Sequence, residues 1–440
     1  SGDVLTHFRK YSLYGGLSNF KNLWLYANSL FDNQAEKAKE PEAYTWAGIY
    51  DPEATDRFTT NLDAYLLNHS DGKRPVLGLL FYREEWIWDD TAYQKCFIQE
   101  AKQQGYDVIP VFANGLVDTS LGMPPLSQVL ESYFMKDGKT IIDCLVSTMK
   151  FSVLGAGRSG GEVLQKLNVP ILDAYTLLTP EEDWRKNPEG MNAVETSISV
   201  AMPELDGVIH GVPIAGHEKH PDGSVVYVPI PERMHRMVAK AGKWAKLHRM
   251  KNENKKIAII FHNYPAKNSN IGSASGLDTM ESAIRLMKAM KAEGYQMDFI
   301  PETSEDFISL MTSKATNDLS MMTEEQAEDC QQLPAKDYIS FFQTLGQTAQ
   351  QKMEEEWGKA PGDVMLSEKG NILIPGTLDG NIFLTVQPSR QYGMDPAKAY
   401  HDPYIAPTHQ YLAFYYWLRQ VWKADAVIHL GTHGNLEWLP

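Results

Sequence analysis

Cysteine is scarce. The 440 residues include three, Cys96, Cys144 and Cys330. They lie far apart with no CxxC spacing, which excludes a disulfide framework or a zinc ribbon and fits a reducing cytoplasm. No apolar run reaches the roughly 18 residues of a membrane span, and no signal peptide is recognisable. Positive charge is in deficit: 41 Lys and Arg stand against 56 Asp and Glu, for a net charge of −15. That balance argues against nucleic-acid binding as the main task. Low-complexity tracts and internal repeats are missing. The GK[ST] of a phosphate loop is missing too, so ATP binding by this chain is not expected.

What is present is an ordinary globular composition, 43% hydrophobic and 22% charged. The length is too great for one core, so more than one domain is expected. Residues 1–70 form an N-terminal, mainly helical segment. Phe20, Leu23, Trp24, Tyr26 and Leu30 within 17–31 predict an amphipathic helix with its apolar face packed. Residues 71–250 alternate short apolar strands (76–81, 107–112, 140–148, 169–172, 206–210 and 225–230) with helices. After a polar linker at 251–254, residues 251–440 open a second α/β domain with a strand in KIAIIFHNYP. Further elements are a helix over about 280–294 with Thr279 as N-cap, a strand at 296–300, two short strands at 371–375 and 381–387, an aromatic helix over 409–421, and a closing strand from Ala424. The pattern predicts an α/β fold of several domains, with mostly parallel sheets built from βαβ units.

Several stretches carry chemistry, each with a bland alternative. GAGRSG at 155–160 spells a dinucleotide fingerprint, but the strand before it is poor and no acidic residue ends a following strand; a flexible turn is the better reading. FYREEW at 81–86 ends a strand with Arg83, Glu84 and Glu85, and serves equally as a solvated turn or as the wall of a ligand crevice. The loop at 262–278, with His262, Asn263 and Asn270, is rich in Gly, Ser and Asn and can wrap a ligand with backbone N–H groups, although a lone histidine is usually structural. Residues 387–418 hold Arg390, Tyr392, Asp395, His401, Asp402 and His409 in one long proline-stiffened loop and helix start. The last stretch, VIHLGTHGNLEWLP, presents His429, His433 and Glu437 beyond a buried-strand pattern. Gly431 and Gly434 argue against the helical HExxH arrangement. Clustered imidazoles and a carboxylate point instead to a metal or acid/base site on a loop.

HNYP…NIGSASGLDTMES, QPSRQYGMDP…YHDP…HQYLAFYYWL and HLGTHGNLEWLP together resemble the large subunit of metal chelatases, the CobN/magnesium-chelatase H family. Weaker similarity in LYGGLSN, GIYDPEA and RPVLGLLFYREEW extends the resemblance over nearly the whole chain. It implies a cytoplasmic, tetrapyrrole-binding subunit that inserts a divalent metal while separate AAA+-type ATPase subunits hydrolyse ATP with magnesium. GLDTMES and HLGTHGNLEWLP are similar to the cobalt branch, implying cobalt(II) insertion into a corrin precursor of the hydrogenobyrinic acid a,c-diamide class. The alternatives are a magnesium chelatase H-type subunit acting on protoporphyrin, or a non-catalytic tetrapyrrole-binding scaffold. Within that resemblance Glu437 is the candidate base, with His429 and His433 as groups that handle the metal transiently or donate hydrogen bonds. His262, Asn263, Asn270, Arg390, Tyr392, His401 and His409 are the substrate-binding candidates. The chain departs from the family at Ser269, where Gly is usual, and at Thr408, where a His-His pair is usual, so no role is carried over to position 408. Family chains continue well past the last motif, so a central fragment is expected, and its activity alone is left open.

Overall fold

The computed structural model describes residues 2–32, 36–115, 118–152, 159–314, 316–392, 402–432 and 436. The fold is α/β, in two compact units, Ser1–Arg249 and Met250–Pro440. Residues 1–70 lie within the first unit and supply two of its strands.

The first unit opens with helices α1 (Gly2–Tyr14) and α2 (Gly16–Ser29). The apolar stripe of α2 does not pack as its spacing predicts: Trp24 is 59% exposed and Leu17 and Phe20 are exposed as well. Asn19 and Asn22 take the buried side instead, because the following extended segment needs hydrogen-bond partners more than apolar cover. Their side chains accept from the Glu42 and Lys39 amides at 2.8 Å each. The eight-stranded sheet comprises β1 (Gly48–Tyr50), β2 (Phe58–Thr59), β3 (Val76–Tyr82), β4 (Asp107–Ala113), β5 (Cys144–Ser147), β6 (Ile171–Thr176), β7 (Ile209–Lys219) and β8 (Val225–Pro229). Its spatial order is β8-β7-β6-β5-β3-β4-β1-β2. Strands β3 to β7 are parallel, whereas β1 and β8 pair antiparallel to their neighbours. The parallel part, β4-β3-β5-β6-β7, has the doubly wound order whose crevice lies between its first and third strands, here β3 and β5. Continuous apolar runs suit strands covered on both faces. Leu77, Leu79 and Phe81 face Met234, Met237 and Ala241 of the helix Pro231–Arg249, and Leu80 and Ile109 join Val129, Leu130 and Phe134 of the helix Leu126–Phe134.

The second unit is built on a four-stranded sheet of β9 (Ile257–Phe261), β10 (Thr377–Asp379), β11 (Ile382–Val386) and β12 (Ala426–Leu430), ordered β10-β11-β9-β12. Alternation along β9 sends Ile257, Ile259 and Phe261 to one face, against Met280, Ile284 and Met287 of α3 (Thr279–Ala292) and Phe307 of α4 (Ser304–Thr312). Ala258 and Ile260 face Tyr338, Phe342 and the aromatic helix α5 (His409–Tyr416), which continues through a π-helical turn at Trp417–Trp422. Two expectations are corrected. Thr279 is the first residue of α3 and not its cap; Asp278 caps it, accepting from the Glu281 amide at 3.0 Å. Residues 296–300 form no strand, because Asp379 binds the Asp298 and Phe299 amides, at 3.0 Å each, that a ladder would use.

Candidate functional site

Both neighbours of β9 run parallel to it and in matched register. Phe261 pairs with Val386 on one side and Leu430 on the other. The three strands therefore end level, and His262, Gln387 and Gly431 leave the sheet side by side. The chain passes from β9 to β11 on one flank and returns to β12 on the other, the arrangement that opens a crevice beyond the carboxyl ends. Three stretches far apart in sequence thus share one sheet edge. Backbone bonds seal the junction: Gln387 N donates to Phe261 O at 2.8 Å and His262 N to Leu430 O at 2.9 Å.

His262 is buried, and its Nδ1 lies 3.2 Å from the Ser273 carbonyl. The Ser273 hydroxyl stands 3.3 Å from the same nitrogen, so Nδ1 faces both an acceptor and a possible donor. Thr432 donates to the same carbonyl through its amide at 3.3 Å and its hydroxyl at 3.2 Å, joining the first loop to the last. Asn263, also buried, donates to Lys267 O at 2.8 Å. Asn270 donates to Pro265 O at 3.2 Å and shapes the same loop.

Asn317, which pattern reading passes over, ties the first loop to the second. Buried at 2% exposure, it donates to Asn263 Oδ1 at 3.0 Å and to the Gln387 carbonyl at 2.6 Å. Its neighbour Asp318 is also buried. Burial raises the Asp318 carboxyl, but hydrogen bonds from Ser320, the Asn268 amide and Lys267 outweigh it and hold the pKa below the usual carboxylate range. Nothing in the polar 305–358 stretch marks these two positions, since apart from Ser320 the partners named are 50 or more residues away, as for Asn268 and Asp318 with |i−j| of 50. A cavity of about 340 Å³ opens among Tyr264–Lys267, Asn317–Ser320 and the Ser389–Tyr392 turn, with Tyr392 on its wall.

Arg390 is fully buried, and its Nη2 donates to the carbonyls of Asp402 and Ile405, stapling the start of the second loop to its end. His409 sits at the start of α5 with Nδ1 at 2.8 Å from Tyr338 Oη and Nε2 at 2.9 Å from the Gly358 carbonyl. Burial holds its pKa below the usual imidazole value, so it is neutral and engaged by protein at both nitrogens. Thr408 caps α5, accepting from the Tyr411 amide at 3.1 Å, a role that the hydroxyl at this departure from the family fulfils. His429 stands on edge strand β12 with its ring stacked near Tyr415, at 6.3 Å between centroids. It keeps access to solvent, yet the protein packed around it lowers its pKa, leaving a neutral imidazole at pH 7. Gln387 in turn donates to Tyr415 Oη at 3.4 Å. His401, His433 and Glu437 lie outside the described residues. Among the described residues no group of three or more His, Cys, Asp or Glu could hold a metal ion.

The CobN/Magnesium Chelatase family model matches residues 9–440. The chain belongs to that family. An uncharacterized protein of Methanocaldococcus jannaschii is 39% identical over 454 residues, covering 100% of this chain and 36% of its own. The aerobic cobaltochelatase subunit CobN of Pseudomonas aeruginosa is 31% identical, covering 98% of this chain and 34% of its own. The H subunit of the magnesium chelatase of Rhodobacter capsulatus is 30% identical, covering 92% and 34%. Among solved structures, the catalytic subunit of cobaltochelatase from Mycobacterium tuberculosis superposes with a TM-score of 0.75 at 26% identity, over 100% of this chain and 36% of that one. This chelatase-family chain therefore spans about a third of the length of the relatives it matches. Identities of 31% and 30% to the cobalt and magnesium subunits do not choose between the metals.

The first unit has its own polar centre beyond β3. Glu85 is buried, and its Oε2 accepts from Tyr93 Oη at 2.5 Å and Gln94 Nε2 at 2.6 Å. Burial pushes its pKa up to about 8 in spite of the Tyr93 hydrogen bond. Arg83 is buried as well and donates to the carbonyls of Thr45 and Tyr14 at 2.7 and 2.9 Å, so it holds the N-terminal segment against the sheet. Residues 155–158 of the GAGRSG motif lie outside the described residues, and its last two residues begin the helix Ser159–Leu167.

Proposed function

We propose that this chain is the tetrapyrrole-binding, metal-inserting part of a chelatase large subunit, with cobalt(II) and a corrin-ring precursor of the hydrogenobyrinic acid a,c-diamide class as substrates. The observation that carries the reading is the meeting of all three family motifs at one sheet edge. A free-base tetrapyrrole must lose its inner N–H protons as the metal enters, two from a porphyrin and one from a corrin, so a general base is required. Glu437 is the base in this reading. The incoming cobalt exchanges water for ring nitrogen, and weak borderline ligands suit a metal that must be released again. Neutral His429, with His433 beyond it, meets that need. The loops around His262, Asn263, Asn270 and Tyr392 receive the macrocycle, while Arg390 and His409 act on it by holding the second loop in place. ATP hydrolysis, with its magnesium, belongs to AAA+-type partner subunits in the cytoplasm.

Replacing Glu437 by Gln in the full-length protein is expected to abolish metal insertion while corrin-precursor binding, followed by visible absorption, stays within a few-fold. Retained turnover would remove Glu437 as base. The magnesium reading is favoured by the likeness to the Rhodobacter capsulatus magnesium-chelatase protein. Insertion assays offering both metals and both macrocycles to the assembled complex separate it from the cobalt reading. No spectral change with any macrocycle would leave a non-catalytic scaffold.

A further inference from the structure

The second unit carries a groove of about 800 Å³ between α4 and residues 298–302. One wall is a face of α4 and the residue just past it, with Asp306, Ser309, Leu310 and Ser313 at i, i+3, i+4 and i+7. Phe299 and Ile300 form the floor, and Lys291 at the end of α3 closes the far side. Phe299 is 51% exposed although its backbone is pinned: its amide and that of Asp298 both donate to Asp379, and Gln296 O accepts from Asn381 N at 3.0 Å. The aromatic is therefore held out by a rigid segment. Asp298, Glu302 and Asp306 surround it, against the single ammonium of Lys291. An exposed aromatic on a rigid floor within a ring of carboxylates has the make-up of an interface anchor with a charged rim.

We propose that this groove docks a basic segment of another polypeptide. An apolar side chain of that segment packs on Phe299, Ile300 and Leu310, and its Lys or Arg residues meet Asp298 and Glu302. A second copy of this chain is a poor occupant, because each copy carries −15 and would bring acid to acid. The Asp379–Asn381 turn that supports the floor precedes β11, whereas His262, Gln387 and Gly431 follow the strands' carboxyl ends. The floor therefore sits by the amino end of β11 and not by its carboxyl end.

Fluorescence anisotropy with a fluorescein-labelled amphipathic leucine–lysine peptide tests it on the 440-residue chain. Phe299→Ala and Glu302→Lys are each expected to weaken binding about tenfold, as loss of an anchor or a facing charge does. The peptide with Lys replaced by Glu, or with Leu replaced by Ser, is expected to bind at least about tenfold more weakly. Trp24→Ala, which removes an exposed aromatic of the first unit, should leave binding unchanged. Equal affinity of wild type and Phe299→Ala, or a loss confined to Trp24→Ala, would overturn the proposal. So would a dimer in sedimentation that Phe299→Ala dissociates, since the occupant would then be a second copy.

Discussion

At Gly431 the backbone has a φ of +143°, and a Cβ there would stand 2.5 Å from His262 Cβ. Only glycine lets the end of β12 pass this close to the first loop. Gly431→Ala should therefore cost about 2–3 kcal/mol of stability, read in urea unfolding, and under the proposed function reduce macrocycle binding through displaced His262. Gly272 serves the same loop with a φ of +74° and a neighbour in Thr279. Both glycines are visible in the motifs, but what they approach is not. Glu85 poses a different residue-scale question. Its carboxyl has an ordinary pKa of 4.5 when unfolded and about 8 when folded. Between those values the folded chain keeps a proton that the unfolded chain has released. The stability this contributes is complete below pH 4.5 and lost as pH rises through about 8. The wild-type melting temperature should fall over that window more steeply than that of Glu85→Gln, whose amide stays neutral. Asp173, buried and raised to about 8 in the same direction, is common to both proteins and cancels in the comparison. Parallel profiles for the two would rule out Glu85 as the titrating group.

Among the elements, the loops depend on ties that local sequence does not announce. Asn317 gives both of its hydrogen bonds to residues 54 and 70 positions away. In Asn317→Ala, Asn263 Oδ1 and the Gln387 carbonyl lose a buried donor, at an expected cost of about 2 kcal/mol in denaturant unfolding and, under the proposed function, with weaker macrocycle binding. A cost near zero would mean that the loops are held by their backbone bonds alone. Arg390 shows how residue type can mislead: a guanidinium in a motif loop suggests a carboxylate anchor, but this one is buried on Asp402 and Ile405 carbonyls. In α2, periodicity correctly identified an apolar face but not whether anything covers it, and Leu17, Phe20 and Trp24 remain exposed. The 296–300 stretch has strand composition, yet a carboxylate from the hairpin turn takes its amides.

On the scale of the molecule, each unit has hydrophobic clusters on both faces of its own sheet. Residues 1–249 and 250–440, produced separately, should each unfold in one cooperative transition followed by circular dichroism. A non-cooperative melt of either would show that its core is incomplete alone. The α/β class, most strands and helices, and the family-bearing motifs were legible because each depends on residues within one or two turns of one another. Strands rich in Val, Ile and Leu bury both faces, and helices declare themselves every three to four residues. The site was legible only as three separate polar stretches. Their meeting required the parallel register that ends Phe261, Val386 and Leu430 at one level. Strand order, register and the contacts of Asn317 are decided by packing between residues scores of positions apart. The sequence by itself determined which side chains could do the chemistry. The tertiary structure decided which share an edge, because pairing of distant strands minimises exposed backbone and apolar area over the whole sheet rather than along any one stretch.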